Sequence, residues 1–287
     1  MNIHMLYDAG LIFEGGGMRG AYTAGVIDAL IEEDIEFTTI YGVSSGACHA
    51  TTYLSKQFGR ARRIIVDYIN DRRYFSVHNF LTTGNAFGIE FLFQTLPHAL
   101  EPYDYPTAYA NPAKFYVGAI DIRTGETEYL HIKDVDSEWR KLAASMALPI
   151  ISRTVNIDGK RYLDGGISES LPLQKSIDDG NKKTVMILTQ DVTYRKKLNK
   201  LIPLIAIWYC FFPRLVKKVA TRHIRYNKAL EQIKEEEAAG TVFVIRPKKP
   251  VNIGRLEKNK EKTQALYEDG YHDGKELIPK LREFMEK

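Results

Sequence analysis

A three-layer α/β/α fold with a mainly parallel central sheet is predicted by three observations. Short apolar runs alternate with segments whose apolar residues recur at helical spacing, the pattern of buried strands and their crossover helices. Two glycine-containing turns, Gly15–Gly20 and Gly42–Gly46, each lie between a strand-like run and a helix-like one. No internal repeat or low-complexity linker interrupts the chain, so its 287 residues read as one domain, 1–287.

Leu11-Ile12-Phe13 is a short apolar run that stops at three glycines. Met18 to Ile31 then carries Tyr22, Val26, Ala29 and Leu30 on one helical face. Phe37 to Val43 reads as a second buried strand and Ser44 to Phe58 as the helix after it. Phe115 to Ile122 is a strand that Thr124-Gly125 turns back into Thr127–Ile132 as a hairpin. Val185 to Leu188 and Val242 to Ile245 are later buried strands. Arg255 to Lys287 is charged and helical, with Gly270 and Gly274 as breaks. The stretch from about 191 to 226 reads as an insertion or a lid.

Composition removes several classes. A formal net charge of +4 is too weak for nucleic-acid binding unless it is clustered, and none is expected. Two cysteines, Cys48 and Cys210, make no disulfide framework, and no metal-ligand spacing occurs. Met1 to Ala9 lacks the basic start and apolar run of a signal peptide. No apolar stretch of about 20 residues is present to span a bilayer. These readings point to a cytoplasmic protein, peripheral at the membrane, with no cofactor and no metal.

Chemistry concentrates in three places. Gly42-Val43-Ser44-Ser45-Gly46 is a G-x-S-x-G sequence between strand and helix, where a sharp turn projects a serine outward and a helix N-terminus favours negative charge. Glu14-Gly15-Gly16-Gly17-Met18-Arg19-Gly20 is a glycine loop whose N–H groups can converge on one anion, as a phosphate cradle or an oxyanion hole. Its Gly15-x-Gly17-x-x-Gly20 spacing also matches a dinucleotide fingerprint. The acidic residue that fingerprint needs would be Asp34 or Glu36, which precede the second strand rather than ending it, and no Walker lysine follows. Tyr162-Leu163-Asp164-Gly165-Gly166 and Ala144-Ser145-Met146-Ala147-Leu148-Pro149, taken singly, read as a turn and a helix end.

Together, in this order, the glycine loop, G-x-S-x-G, A-S-x-A-x-P and D-G-G resemble the patatin-like phospholipase family, from about Leu11 to Pro172. Downstream, Arg222-His223-x-x-Tyr226-Asn227 resembles a bacterial subgroup. One departure is visible: plant members carry an asparagine between D-G-G and the next proline, where this chain has Ser168-Glu169-Ser170-Leu171 before Pro172. The resemblance implies a lipid acyl hydrolase of phospholipase A type. Ser44 would be the nucleophile and Asp164 its base, with no intervening histidine. Gly15, Gly16 and Gly17 would donate N–H groups to the oxyanion, with Arg19 helping to hold their loop. Gly20, Gly42, Gly46, Gly165 and Gly166 would support these segments.

Alternatives stay open at this level. The same pair could serve a short-chain carboxylesterase or a thioesterase, the glycine loop could bind a nucleotide, or the chain could be a catalytically silent membrane-associated scaffold. A Ser-Asp-His triad in α/β-hydrolase order would need His223 or His272 after Asp164. His49, five residues from Ser44, falls off the nucleophile's helical face and reads as a packing or surface residue, and no histidine is expected to be essential. Residues 195–218 flank an apolar run holding Trp208, Tyr209, Phe211 and Phe212 with cations, which suits an interfacial anchor or a lid over an acyl pocket. A buried helix with a basic edge is the competing reading.

Overall fold

The computed structural model describes residues 5–287; His4 and the rest of the first four residues lie outside it. Eight strands form one sheet: β1 (Met5–Phe13), β2 (Ile35–Val43), β3 (Lys114–Asp121), β4 (Thr127–Ile132), β5 (Val155–Ile157), β6 (Lys160–Asp164), β7 (Thr184–Ile187) and β8 (Val242–Ile245). The order is β5-β6-β3-β2-β1-β7-β8, with β4 also paired to β3. The pairings among β3, β2, β1, β7 and β8 are parallel, and β4, β6 and β5 add antiparallel ladders.

Strand residues alternate between two cores, as a sheet covered on both faces requires. Leu11, Phe13, Phe115, Val117, Val185 and Ile187 join one cluster. Ile12, Tyr41, Met186, Leu188 and Val244 join the opposite one. The first face is covered by helix Gly20–Glu32 and by helix Lys260–Glu286, which pack on each other. Helix Arg222–Ala239 brings Tyr226 and Ile233 to the second face.

Several boundaries differ from the sequence reading. β2 begins at Ile35, so Glu36 lies inside the strand rather than before it; its carboxylate is buried and pairs with Lys56. The helix after β2 starts at Ser45 and stops at Leu54, short of Phe58. Gly270 and Gly274 do not break the last helix, which runs unbroken from Lys260 to Glu286. They are small there because a Cβ on Gly270 would lie 2.1 Å from the carbonyl oxygen of Tyr22, and one on Gly274 2.8 Å from Ala29 Cβ.

The region 195–218 satisfies parts of both readings. It folds into helices Ile202–Trp208 and Pro213–Ala220. Ile205, Tyr209, Leu215 and Val219 are buried against Ile120, Leu163 and Ile167, while Ile207, Trp208 and Phe211 are 74%, 63% and 87% exposed. Among the described residues no helix is long and apolar enough to cross a membrane.

Candidate active site

Ser44 sits between the end of β2 and the helix that begins at Ser45, with φ 58° and ψ −131°. A side chain at positive φ costs on the order of 1–3 kcal/mol and persists only where its surroundings over-determine it. Three contacts do so. A Cβ on Gly46 would lie 2.3 Å from the Phe13 carbonyl oxygen, and one on Gly42 2.5 Å from Ala47 Cα, so both must be bare for the turn to close. The Ser44 N–H donates to Ser145 Oγ at 2.9 Å, and the fully buried Ser145 hydroxyl donates to the Gly118 carbonyl at 2.7 Å.

Strand register brings Asp164 to Ser44. β4 occupies one edge of β3 from Phe115 to Ile120, so β2 and β6 share the other. β2 ends with Val43 opposite Gly118, and β6 takes over with Asp164 opposite Ala119, the next residue along β3. The carboxylate of β6 therefore fills the place that β2 vacates when it turns at Ser44. The Asp164 N–H donates to Ala147 O at 2.8 Å, so A-S-x-A-x-P steadies both residues, one through Ser145 and one through Ala147. Asp164 Oδ1 accepts the Gly166 N–H at 2.7 Å. Burial raises the Asp164 carboxyl above its ordinary range, while the Arg222 charge, the Ser44 hydroxyl and the Gly166 N–H pull it back.

The glycine loop lies against Ser44. A Cβ on Gly15 would come within 2.6 Å of Ser44 Cβ, and one on Gly17, at φ +59°, within 2.4 Å of the Arg255 carbonyl oxygen. The Gly16 N–H donates to Ser45 Oγ at 2.9 Å. Those of Gly15 and Gly17 have no partner among the described residues. The Met18 N–H donates to Arg255 O at 3.1 Å, which fixes the far side of the loop. Arg19 is buried, but its guanidinium makes no hydrogen bond to the loop among the described residues, and its Nε has no partner. The loop is held instead by Ser45 and by the Arg255 backbone. Gly20 lies against His49, where a Cβ would approach Nε2 to 2.3 Å, and Gly165 packs on Gly118.

One cavity contains Ser44, Asp164, Gly15, Gly16 and Gly17. Ile64, Ile65, Phe87, Leu92 and Leu148 give it apolar lining, and Arg222 and Arg255 add two cations. His49 lines the cavity, contrary to its expected place, because the helix begins one residue after Ser44 and turns this face toward Gly20. Burial holds its imidazole down to about 4, so it is neutral near pH 7. His223 and His272 do not line the cavity. Burial also pushes the neighbouring Cys48 thiol up to about 12, which leaves it unreactive at neutral pH.

Two groups that sequence reasoning rated lower belong to this region. Ser145 was legible only as part of a helix end, yet it anchors the Ser44 turn. In the downstream motif, Tyr226 donates to Glu14 Oε1 at 2.6 Å, Asn227 brackets the Lys196 backbone at 2.8 and 3.1 Å, and Arg222 reaches the cavity.

A mixed, mainly parallel α/β sheet that carries a serine on a strained strand-to-helix turn, beside a glycine loop, defines a class of α/β proteins. The model of the patatin-like phospholipase family matches residues 11–176, and the chain belongs to that family. A model for a domain of unknown function matches residues 212–286. The uncharacterized protein YjjU of Escherichia coli is 31% identical over 185 residues, covering 62% of this chain and 51% of that one. Lysophospholipase nte1 of Aspergillus terreus is 26% identical over 293 residues, covering 95% of this chain and 18% of its own. The chain thus spans about half of the first relative and under a fifth of the second. The crystal structure of VipD from Legionella pneumophila superposes with a TM-score of 0.47 at 12% identity, covering 96% of this chain and 67% of that one.

Proposed function

We propose that the chain is a lipid acyl hydrolase of phospholipase A type, working as one domain over 1–287, in which Ser44 attacks the carboxylic ester and Asp164 is its base. The observation that carries this reading is the register of β2 and β6 on β3, which sets a buried carboxylate beside a serine in the lining of one cavity. Asp164 takes the Ser44 proton as Oγ bonds to the ester carbon, then returns it to the departing alcohol. Water repeats the cycle on the acyl-enzyme and releases the fatty acid. The Gly15 and Gly17 N–H groups receive the oxyanion, and the Gly16 N–H joins them when the Ser45 hydroxyl turns away. Each such donor is worth about 3 kcal/mol in the transition state. Membership of a phospholipase family and the apolar lining favour a lipid over a short-chain ester or thioester.

A fluorescent fluorophosphonate tests the nucleophile, and p-nitrophenyl esters of increasing chain length test the substrate class. Wild type is expected to label, Ser44→Ala not to label, and hydrolysis to rise with chain length. Equal labelling of Ser44→Ala would remove the assignment, and a preference for acetate would make the protein a short-chain esterase.

The reading includes contact with a membrane surface through 195–218. Ile207, Trp208 and Phe211 are exposed, and Lys197, Lys200, Arg214 and Lys217 lie in the same stretch, a composition suited to an anionic interface. Trp208→Ser combined with Phe211→Ser is expected to weaken binding to phosphatidylglycerol-containing vesicles at least tenfold in a sedimentation assay. Unchanged binding would leave the exposed residues without this role.

A further inference from the structure

Arg222 and Arg255 line the cavity that holds the proposed catalytic pair, and Arg19 and Lys196 lie near them. Arg19, Lys196, Arg222 and Arg255 come from the glycine loop, the segment after β7, the start of helix Arg222–Ala239 and the segment after β8. None makes a salt bridge among the described residues, although ion pairs are frequent elsewhere in the molecule. Two carboxylates are near. Glu14 has its oxygens occupied by Thr189 and Tyr226, and Asp164 holds the Gly166 N–H. Arg19 and Lys196 are buried, and buried cations are ordinarily paired, because taking an unpaired charge out of water costs several kcal/mol.

The cluster is built rather than incidental. Arg222 and Arg255 line the cavity beside Ser44 and Asp164. Arg222 Nε is buried with no hydrogen-bond partner among the described residues, and the Nη2 donation to Ser170 Oγ is long at 3.4 Å. Lys196 is 8% exposed, its backbone is bracketed by Asn227, and its ammonium lies 3.8 Å from the centre of the Tyr226 ring. Burial and then the charges of Arg222 and Arg255 hold that ammonium well below the usual lysine range, with Glu14 opposing them. Arg222 is held down to about 10 by burial and then by Arg255.

The geometry points to a phosphate subsite formed by Arg222 and Arg255, with the Lys196 charge near them, which receives the anionic head group of the substrate while its acyl chain lies along the apolar lining of the same cavity. A phosphate suits this place because guanidinium forks bind its oxygens in pairs and two such forks converge there. Arg222 then has two tasks: it supplies a phosphate contact, and its charge favours the ionised form of Asp164. The subsite rests on the hydrolase reading for the orientation of the substrate, but not for the existence of the anion site.

Octyl phosphate separates the two, because it has a chain and a phosphate but no carboxylic ester to cleave. Calorimetry with wild type is expected to show octyl phosphate binding at least tenfold more tightly than 1-octanol, with affinity falling as salt rises. Arg255→Met and Lys196→Met should each shrink that ratio at least threefold. Inorganic phosphate identifies the source: weak competition assigns the site to a lipid head group, and competition as strong as that of octyl phosphate assigns it to free phosphate. Equal binding of octyl phosphate and octanol by wild type would overturn the subsite, as would a ratio that both variants leave unchanged. The hydrolase reading fails separately, if fluorophosphonate labelling does not depend on Ser44.

Discussion

Ser44→Ala is expected to lower kcat for a long-chain acyl ester by about 10⁴-fold or more, and Asp164→Asn by a similar factor, with little change in KM. Both losses follow from removing one member of a pair that acts as a unit, so the double variant should be hardly worse than either single one. A pH profile sharpens the test. The active form of Asp164 is the carboxylate, and burial raises its pKa above 3.8, so kcat/KM should fall with falling pH at a midpoint above that value. His223→Ala and His272→Ala should retain near-normal rates, since neither residue lines the cavity. A loss in either as deep as that of Ser44→Ala would replace the pair with a triad.

The second large effect concerns stability. Helices Gly20–Glu32 and Lys260–Glu286 touch backbone to backbone: a Cβ on Gly25 would lie 2.1 Å from Tyr267 O, and one on Gly270 2.1 Å from Tyr22 O. Around that contact Tyr22 donates to Asp273 Oδ2 at 3.0 Å and Tyr267 to Asp28 Oδ2 at 2.9 Å. Gly270→Val cannot be absorbed by a side-chain movement, because the obstructing atoms are main chain. It should destabilise the protein by about 3 kcal/mol or more, and lower Tm by roughly 6–12 °C. Gly254→Ala, where no atom lies within 4 Å of the added carbon, should change stability by under about 1 kcal/mol. Urea denaturation of the two variants checks the contrast, and equal midpoints would contradict the close crossing.

The parallel core was legible because its strands are apolar on both faces and end at glycines, as at Phe13 and Val43. The hairpin of β3 and β4 was legible from Thr124-Gly125. Ser44 and Asp164 could be picked out by motif, but only the register on β3 explains why residues 120 positions apart meet. Glycines in the last helix misled because glycine lowers helix propensity, whereas tertiary contact with Tyr22 rewarded its small size. His49 was misplaced because the helix phase was counted from Ser44, which is not helical. Arg19, Arg222 and the basic flank that holds Lys196 were each legible in sequence, but their convergence was not, since the members of the cluster lie in four separate segments.

The glycine loop rests on a peptide more than two hundred residues away, the Met18 N–H on the Arg255 carbonyl, and the side chain of that same Arg255 faces the cavity. Its main chain shapes the loop regardless of which side chain it bears. Selection can therefore exchange residue 255, and with it the charge offered to a head group, while the motifs between residues 11 and 176 stay untouched. On the proposed reading, bond-breaking and substrate choice would in this way be separately inheritable within one chain.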